Sequence, residues 1–299
     1  MHACGHDNHV AILMGVAEVL AGLGEELPGT VLFLFQPAEE GAPEGEEGGA
    51  DLMLREGAFA DPVPDVVFGL HVFPMPVGVI ASRPEGIMAS SDRFTITVNG
   101  TQTHGAMPWM GVDPVVTASQ VVLGLQTIPA RQLDATLTPS VVSVGRIEGG
   151  VRNNIIPETV ELEGTIRTFD ADTRTDIHRR IEATATHIAE SAGATADVSV
   201  DLGYPVTRND PDLYRRMAPT LQRIAGPGFV EARPVIGAED FSYLAEAVPG
   251  LFFFLGVAPD DPALVAPNHS PRFYADERAL PLGVKALTEL TLDYLAGAP

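Results

Sequence analysis

The feature that most constrains the fold is a set of short, continuous apolar runs rich in β-prone residues. They lie at residues 31–35, 66–71 and 251–256, and each is too short for a helix. Strands that are buried on both faces have this composition. A helix-like segment at residues 50–56 separates the first two runs, and a strand–helix–strand order favours parallel strands covered by helices. The sequence therefore predicts an α/β fold with a mostly parallel sheet flanked by helices.

The chain changes character between the second and third runs. In chain order, the patterns there are a strand at 92–98, a helix at 115–125, strands at 141–147 and 159–167, a helix at 172–192 and a strand at 196–200. The order β-α-β-β-α-β is typical of a ferredoxin-like α+β sandwich. We therefore expect residues 91–202 to form an inserted ferredoxin-like domain, and residues 1–90 and 203–299 to form the main domain.

Charge excludes several classes of function. The chain has 18 basic and 40 acidic residues, which gives a formal net charge of −22. Such a protein repels phosphate backbones and anionic membrane surfaces, so we expect no nucleic-acid partner and no membrane partner. Lys285 is the single lysine and does not follow a glycine, which excludes a phosphate-binding P-loop. Cys4 is the single cysteine, so an internal disulfide is impossible and a cytoplasmic location is favoured.

Metal-capable side chains are concentrated in short segments, most of which follow apolar runs. The segments are HACGHDNH at 2–9, QPAEE at 36–40, GLH at 69–71 and NHS at 268–270. Ligands collect at the carboxyl ends of strands in open α/β sheets, so we expect Glu39, Glu40 and His71 to face one crevice. Thiolate, imidazole and carboxylate donors together favour Zn, Mn, Co or Ni over Mg or Ca.

Each candidate taken alone has an ordinary structural explanation. A lone cysteine such as Cys4 is usually a small buried residue, and adjacent glutamates at 39–40 are typical of a solvated turn. His71 at a strand end could be a half-buried histidine, and the pattern places His178 and His187 on the exposed face of a polar helix. The conjunction of candidates at several strand ends is what favours a site.

Taken in order, the motifs resemble those of one family. They are HACGHD at 2–7, PAEE at 37–40, GLH at 69–71, GxxxHGAxP at 100–108, NIIP at 154–157, GTIR at 164–167, GAEDF at 237–241 and NH at 268–269. They are similar to motifs of the metal-dependent amidohydrolases that include hippurate hydrolases, N-acyl-amino-acid hydrolases and auxin-conjugate hydrolases, relatives of zinc aminoacylases and carboxypeptidases. The resemblance implies a catalytic main domain and an inserted lid and dimerisation domain.

The resemblance also implies a metal centre with two divalent ions as cofactor. The implied ligands are Cys4, His6, Glu40, His71 and His269. Glu39 matches the general base. A metal pair about 3.5 to 4 Å apart can activate water and polarise an amide carbonyl, while a neighbouring carboxylate transfers the proton. Which ligand bridges the metals is left open.

Further residues are assigned by the same resemblance. His104 is expected to donate a hydrogen bond to the oxyanion or the substrate carboxylate, in relatives often across a dimer. Asn154 and Arg167 are expected near the substrate, because a guanidinium can pair bidentately with an α-carboxylate. Glu239 and Asp240 are expected to support a metal-binding histidine. The expected partners are a small N-acyl-amino acid as substrate and a second copy that forms a homodimer through the lid domain.

Three functions are compatible with the sequence. The leading one is a metal-dependent hydrolase that cleaves the amide bond of N-acyl-amino acids. The second uses Cys4 as a nucleophile with His6 or His9 as its base. The third is a truncated, catalytically impaired homologue that acts as a binding or scaffold protein, because family chains have a substantial segment before the motif at residues 2–7. On that ground we expect an unpaired strand edge, an exposed apolar face, low stability and weak or absent activity.

Overall fold

The computed structural model describes residues 1–43 and 45–297. The helices are α1 (His6–Leu23), α2 (Gly49–Arg55), α3 (Pro114–Thr127), α4 (Ala171–Ser191), α5 (Pro211–Ala225), α6 (Phe241–Ala247) and α7 (Leu280–Leu295). The strands are β1 (Val67–Pro76), β2 (Ile80–Ser82), β3 (Glu85–Met88), β4 (Asp92–Asn99), β5 (Thr103–His104), β6 (Ser140–Gly149), β7 (Ile155–Ile156), β8 (Thr159–Thr168), β9 (Thr195–Asp201), β10 (Thr207–Asn209), β11 (Phe229–Glu231) and β12 (Gly250–Ala258). Among the described residues, no helix has the length and apolar character needed to cross a membrane.

The elements form two compact units. The first comprises Met1–Ile87, Thr207–Pro234 and the residues from Glu239 onward, and the second comprises Met88–Val206 and Val235–Ala238. Each unit has its own sheet and its own hydrophobic core.

The first unit is built around a mixed sheet with the strand order β1-β12-β2-β11. β1 runs parallel to β12 and β2 runs parallel to β11, whereas β12 and β2 are antiparallel. All nine residues of β12 are buried, as its continuous apolar sequence requires. Ile12 of α1, Phe253 of β12 and Leu287 of α7 belong to one core cluster. The prediction of an α/β fold with parallel strands and flanking helices is confirmed.

The predicted strand at residues 31–35 is wrong. These residues are not part of any strand, and Leu32 and Phe35 are 41% and 47% exposed. A strand needs a paired neighbour, and within the described chain β1 is an edge strand whose neighbour is β12. Residues 28–36 instead line one side of a cavity of about 640 Å³, and residues 62–70 line another. This unit therefore has a free sheet edge beside an apolar, partly exposed segment.

The second unit has a four-stranded antiparallel sheet with the order β6-β8-β4-β9. The chain order β4-α3-β6-β8-α4-β9 is the β-α-β-β-α-β order expected from the sequence. Every second residue of β4, from Asp92 to Val98, is buried, which is typical of a sheet with one face against helices. Val121 of α3 and Ile177 of α4 pack with Phe94 of β4 in the core.

A buried ion pair attaches α4 to β4 in this unit. Arg174 Nε donates to Asp92 Oδ2 at 2.8 Å, and His178 Nε2 lies 2.8 Å from the same oxygen. Burial acts to raise the pKa of Asp92, but the hydrogen bonds from Arg174 and His178 outweigh it and lower the pKa to about 2. The predicted exposure of His178 is wrong, since its side chain is 19% exposed and contacts a carboxylate 86 residues away.

Candidate metal centre

The N-terminal motif reaches β1 because residue 5 is a glycine. Gly5 precedes α1 with φ +90°, and a Cβ there would lie 2.5 Å from Val72 Cγ2. A larger residue would therefore be strained in its backbone and would clash with β1. The absent side chain lets the loop that carries Cys4 and His6 lie against the strand that carries His71.

The structure brings all five sequence-predicted ligands together within the first unit. Cys4 Sγ lies 3.2 Å from His71 Nε2 and 3.1 Å from His269 Nε2, which in turn is 2.9 Å from Glu40 Oε1. His6 Nε2 is 3.6 Å from Oε2 of Glu39. Potential ligand atoms lie within 4.8 Å of one another in four overlapping groups, which are Cys4/His6/His71, Cys4/Glu40/His269, His6/Glu39/Glu40 and Glu39/Glu239/Asp240. Cys4 belongs to two of these groups, and so do His6, Glu39 and Glu40.

The ionisation of these groups is suited to binding a cation. Burial lowers the pKa of His71 to about 4 and also lowers that of His6, so both rings are neutral at pH 7 and can offer a lone pair. Burial, followed by the charges of Glu40 and Glu39, raises the pKa of the Cys4 thiol to about 12. A dication would reverse this effect, because a coordinating thiol loses its proton.

Glu39 has the properties of a proton-transfer group. Burial, and then the charges of Asp240 and Glu40, raise its pKa to about 7, even though the Asp240 backbone amide donates a hydrogen bond that opposes the shift. A carboxyl group that titrates near neutral pH can both accept and deliver a proton. The preceding Ala38 has φ +60°, a conformation that is uncommon for residues other than glycine and often found at functional sites.

Glu239 and Asp240 have other contacts than those predicted. Asp240 accepts hydrogen bonds from Gln36 Nε2 at 2.7 Å and from the Ala50 amide at 2.8 Å. These hydrogen bonds connect Asp240 to the segment that carries Glu39, and the charge of Asp240 also acts to raise the pKa of His6. Support of a histidine ring by this pair stays a prediction. Glu239 is 7% exposed, and burial with the charges of Glu39 and Asp240 raises its pKa well above the usual range.

The candidate substrate residues all lie in the second unit. β5 and β7 pair with His104 opposite Ile155, and the Gly105 amide donates to the Asn154 carbonyl at 2.8 Å, so His104 and Asn154 belong to one small hairpin-like pair. The Ala106 amide donates to His104 Nδ1 at 3.0 Å. Arg167 lies on β8 and is half-buried, which lowers its pKa. No carboxylate among the described residues forms an ion pair with its guanidinium.

Two residues near the centre were not selected as site residues from the sequence. Asn268 Nδ2 donates to the carbonyl oxygens of Cys4 at 3.0 Å and Val72 at 3.3 Å. His9 Nε2 accepts a hydrogen bond from the Val72 amide at 2.9 Å, which occupies the lone pair that a base for Cys4 would need. Asn268 could have been noticed from its position beside His269 in the NH motif. The contacts of His9 have no signal in the sequence.

The fold and the cluster together define an α/β protein with a thiolate, imidazole and carboxylate site of the kind that holds transition metals. The family model described as Peptidase family M20/M25/M40 matches residues 1–293. The chain belongs to this family of metal-dependent hydrolases, which confirms the resemblance seen in the motifs.

Individual relatives agree with this placement. Thermostable carboxypeptidase 2 of Saccharolobus solfataricus is 38% identical over 296 residues, which cover 98% of this chain and 73% of the relative. IAA-amino acid hydrolase ILR1-like 2 of Arabidopsis thaliana is 37% identical over 301 residues, which cover 99% of this chain and 66% of the relative. The crystal structure of the Bacillus subtilis YXEP protein, described as a dinuclear metal binding peptidase from the M20 family, has a TM-score of 0.81 at 33% identity and covers 99% of this chain and 74% of its own.

Proposed function

We propose that the chain is an amidohydrolase that cleaves the amide bond of N-acyl-amino acids with two divalent metal ions, Zn, Mn, Co or Ni. The observation that carries the proposal is that the five candidate ligands fall into overlapping three-residue groups, and within each group the donor atoms lie within 4.8 Å of one another. Glu39 belongs to the group that contains His6 and Glu40. The ligands would be Cys4, His6, Glu40, His71 and His269. The relative described as binding a dinuclear metal, and the hydrolase that acts on IAA-amino acids, support this assignment.

Cys4 would hold the metal together with two of the histidines. Its sulfur lies 3.2 Å from His71 Nε2 and 3.1 Å from His269 Nε2, and it belongs to a separate three-residue group with each of them. His6 and Glu40 would complete the ligand set.

Glu39 would transfer the proton in the reaction. A bound metal pair supplies Lewis-acid polarisation of the carbonyl and a water of lowered pKa. Glu39 would take a proton from the attacking water as its oxygen adds to the amide carbon, and would deliver a proton to the leaving nitrogen as the C–N bond breaks. The products are a carboxylate and an amino acid. Burial and the neighbouring carboxylates raise the pKa of Glu39, which favours its acceptance of a proton.

The second unit would act as the lid that binds the substrate. The Ala106 amide donates to Nδ1 of His104, so a neutral ring carries its proton on Nε2 and can donate to an oxyanion or a carboxylate. Arg167 has no carboxylate partner among the described residues and would pair with the substrate's α-carboxylate, with Asn154 nearby. In a chain with net charge −22, such a cation is needed to hold an anionic substrate. We also propose a homodimer through this unit.

Metal content and chelator-sensitive turnover would test the proposal together. The purified protein is analysed for bound metal by mass spectrometry and assayed for amino-acid release from N-acetyl, N-benzoyl and indole-acetyl amino acids, before and after chelation. We expect about two metal ions per chain and turnover that is lost with the chelator and restored by Zn, Mn, Co or Ni. Turnover that survives complete metal removal would overturn the proposal and favour Cys4 as a nucleophile.

A further inference from the structure

The backbone of one residue of β1, Val72, forms hydrogen bonds with three side chains around the metal centre. The carbonyl oxygen of Val72 lies 2.7 Å from His71 Nδ1 and accepts from Asn268 Nδ2 at 3.3 Å. The amide of Val72 donates to His9 Nε2 at 2.9 Å. Both polar atoms of this residue are therefore held by side chains, although β1 also pairs with β12 along this stretch.

Asn268 connects the Val72 carbonyl to the loop that carries another candidate ligand. The same carboxamide nitrogen donates to the Cys4 carbonyl at 3.0 Å, and the next residue, His269, donates its own amide to the Ala3 carbonyl at 2.7 Å. Residues 4, 72 and 268 are far apart in the chain, so no local structure fixes their spacing. The side-chain nitrogen Nδ2 of Asn268 therefore links the segment that carries Cys4 directly to the strand that carries His71.

The hydrogen bond of His71 explains why the position of Val72 matters. Nδ1 carries the proton in its bond to the Val72 carbonyl, so Nε2 keeps the lone pair and faces Cys4 Sγ at 3.2 Å. A hydrogen bond from the ring nitrogen that does not bind the metal orients a metal-binding histidine and fixes its tautomer. Here the partner is a backbone carbonyl, so whatever holds that carbonyl also holds the ring.

His9, on α1, accepts the hydrogen bond of the Val72 amide. Its ring packs edge-on against His71 with 4.6 Å between centroids. Because its Nε2 accepts from Val72, His9 acts in this arrangement as a support for His71 and not as a ligand. This histidine has no part in the reaction proposed above.

We infer that Asn268 and His9 are positioning residues of the metal centre. Asn268 holds the carbonyl of Val72 and His9 holds its amide, and together they fix His71 Nε2 relative to the Cys4 sulfur. This inference rests on the proposed metal binding. It also accounts for the left-handed backbone of His269, whose φ is +67°. With Asn268 bonded to both Cys4 and Val72, and the His269 amide bonded to Ala3, the chain is held in a conformation that residues other than glycine rarely adopt.

Cobalt titration of four variants tests the inference. Asn268→Asp keeps the shape of the side chain but removes its donors, and Asn8→Asp is the matched control, since Asn8 Nδ2 bonds to the exposed Asp7. His9→Leu removes the acceptor for Val72, and His9→Gln supplies a new one. Co²⁺ affinity and the thiolate-to-cobalt absorption band are measured for each variant, with circular dichroism to check folding.

We expect Asn268→Asp and His9→Leu to weaken Co²⁺ binding about 10- to 100-fold and to shift the thiolate band. His9→Gln should recover most of the affinity lost in His9→Leu, and Asn8→Asp should bind like the wild type. The added negative charge of Asn268→Asp would by itself strengthen cation binding, so a weaker affinity identifies the lost donors as the cause. If Asn268→Asp does not fold, Asn268→Ser, which retains one hydroxyl donor, replaces it with a smaller expected loss.

Two results would count against different conclusions. A wild-type chain that binds no Co²⁺ would overturn the proposed metal-dependent function. A wild type that binds Co²⁺ normally, together with wild-type affinity and spectrum in Asn268→Asp and His9→Leu, would overturn the positioning role alone. Equal losses in His9→Leu and His9→Gln would also contradict the role of His9 as an acceptor for Val72.

Discussion

Two adjacent carboxylates in this chain, Glu39 and Glu40, have different surroundings. Glu40 contacts the exposed His269 at 2.9 Å, whereas Glu39 is more buried and lies near Asp240, whose backbone amide it accepts from. Burial and neighbouring negative charge raise the pKa of Glu39 to about 7. The roles proposed for them, a metal ligand for Glu40 and a proton carrier for Glu39, follow from this difference in surroundings.

The first prediction concerns Glu39 itself. Glu39→Gln keeps the size of the side chain but cannot accept a proton, so we expect kcat to fall about 100- to 10,000-fold while metal content stays the same. Steady-state kinetics and metal analysis of the same preparation measure both. Glu46→Gln, a change at an exposed acid in the same loop, is the control. An unchanged kcat in Glu39→Gln would remove Glu39 from the proton-transfer role.

The identity of the candidate ligands could be predicted from the sequence, but their supporting contacts could not. Cys4, Glu40 and His71 are named by motifs, because each motif is short and continuous. The hydrogen bond from Asn268 to Cys4 spans 264 residues, and that from Gln36 to Asp240 spans 204. Such partners are fixed by the tertiary fold, and no local pattern of residues encodes them.

At the scale of elements, an apolar run forms a strand only where it pairs with a neighbouring strand. Residues 31–35 and β12 are both continuous apolar runs, yet β12 is buried between β1 and β2 while residues 31–35 form no strand. The sequence predicts the helices of the second unit from their periodicity and β12 from its continuous apolar run. It cannot predict residues 31–35 in the same way, because a strand exists only where a neighbouring backbone completes the hydrogen bonds.

The ion pair between β4 and α4 supplies the second prediction. Asp92→Asn leaves Arg174 and His178 without their buried counter-charge, so we expect the free energy of unfolding to fall by about 3 to 5 kcal/mol. Asp176→Asn, on the same helix, is the control, because its pairs with Arg179 and Arg180 are partly exposed and are expected to contribute about 1 kcal/mol or less. Urea unfolding followed by circular dichroism measures both changes. Equal losses in the two variants would contradict the role of burial.

The lowered pKa of Asp92 predicts how the free energy of unfolding depends on pH. The pKa of Asp92 is lowered from 3.8 to about 2 in the folded protein, so folding favours its ionised form. The stability that it contributes is complete above the unfolded pKa and is lost as the pH falls through the folded pKa. We expect the wild type to lose about 2 kcal/mol more than Asp92→Asn between about pH 5 and pH 2. Parallel pH profiles of the two proteins would contradict this expectation.

At the scale of the whole molecule, the chain contains two separate cores. The core cluster that includes Phe94, Leu162 and Ile177 draws all its buried members from the second unit. The inserted stretch could be recognised in the sequence because its β-α-β-β-α-β order interrupts the apolar runs of the first unit. The exact boundaries could not, since β3, β10 and β11 are three- or four-residue strands with little sequence signal.

This division predicts that the second unit folds without the first. A protein of residues 88–206 contains every member of that core cluster, so we expect a sigmoidal urea transition and a helical circular dichroism spectrum. The control is the same protein with Phe94→Ala. It should unfold at a lower urea concentration, because its free energy of unfolding should be smaller by about 3 to 5 kcal/mol. A gradual, non-cooperative transition in the unmodified segment would show that its core depends on the rest of the chain.

The placement of Cys4 allows metal binding to be followed by chemical labelling of the thiol. It is the one sulfhydryl in the sequence, and it is half-buried at the point where the candidate ligands converge. A maleimide dye can therefore attach covalently at a single position, and the speed of labelling reads out directly whether a cation covers the sulfur. Labelling that is as fast with saturating zinc as without it would mean that the sulfur does not face the ion.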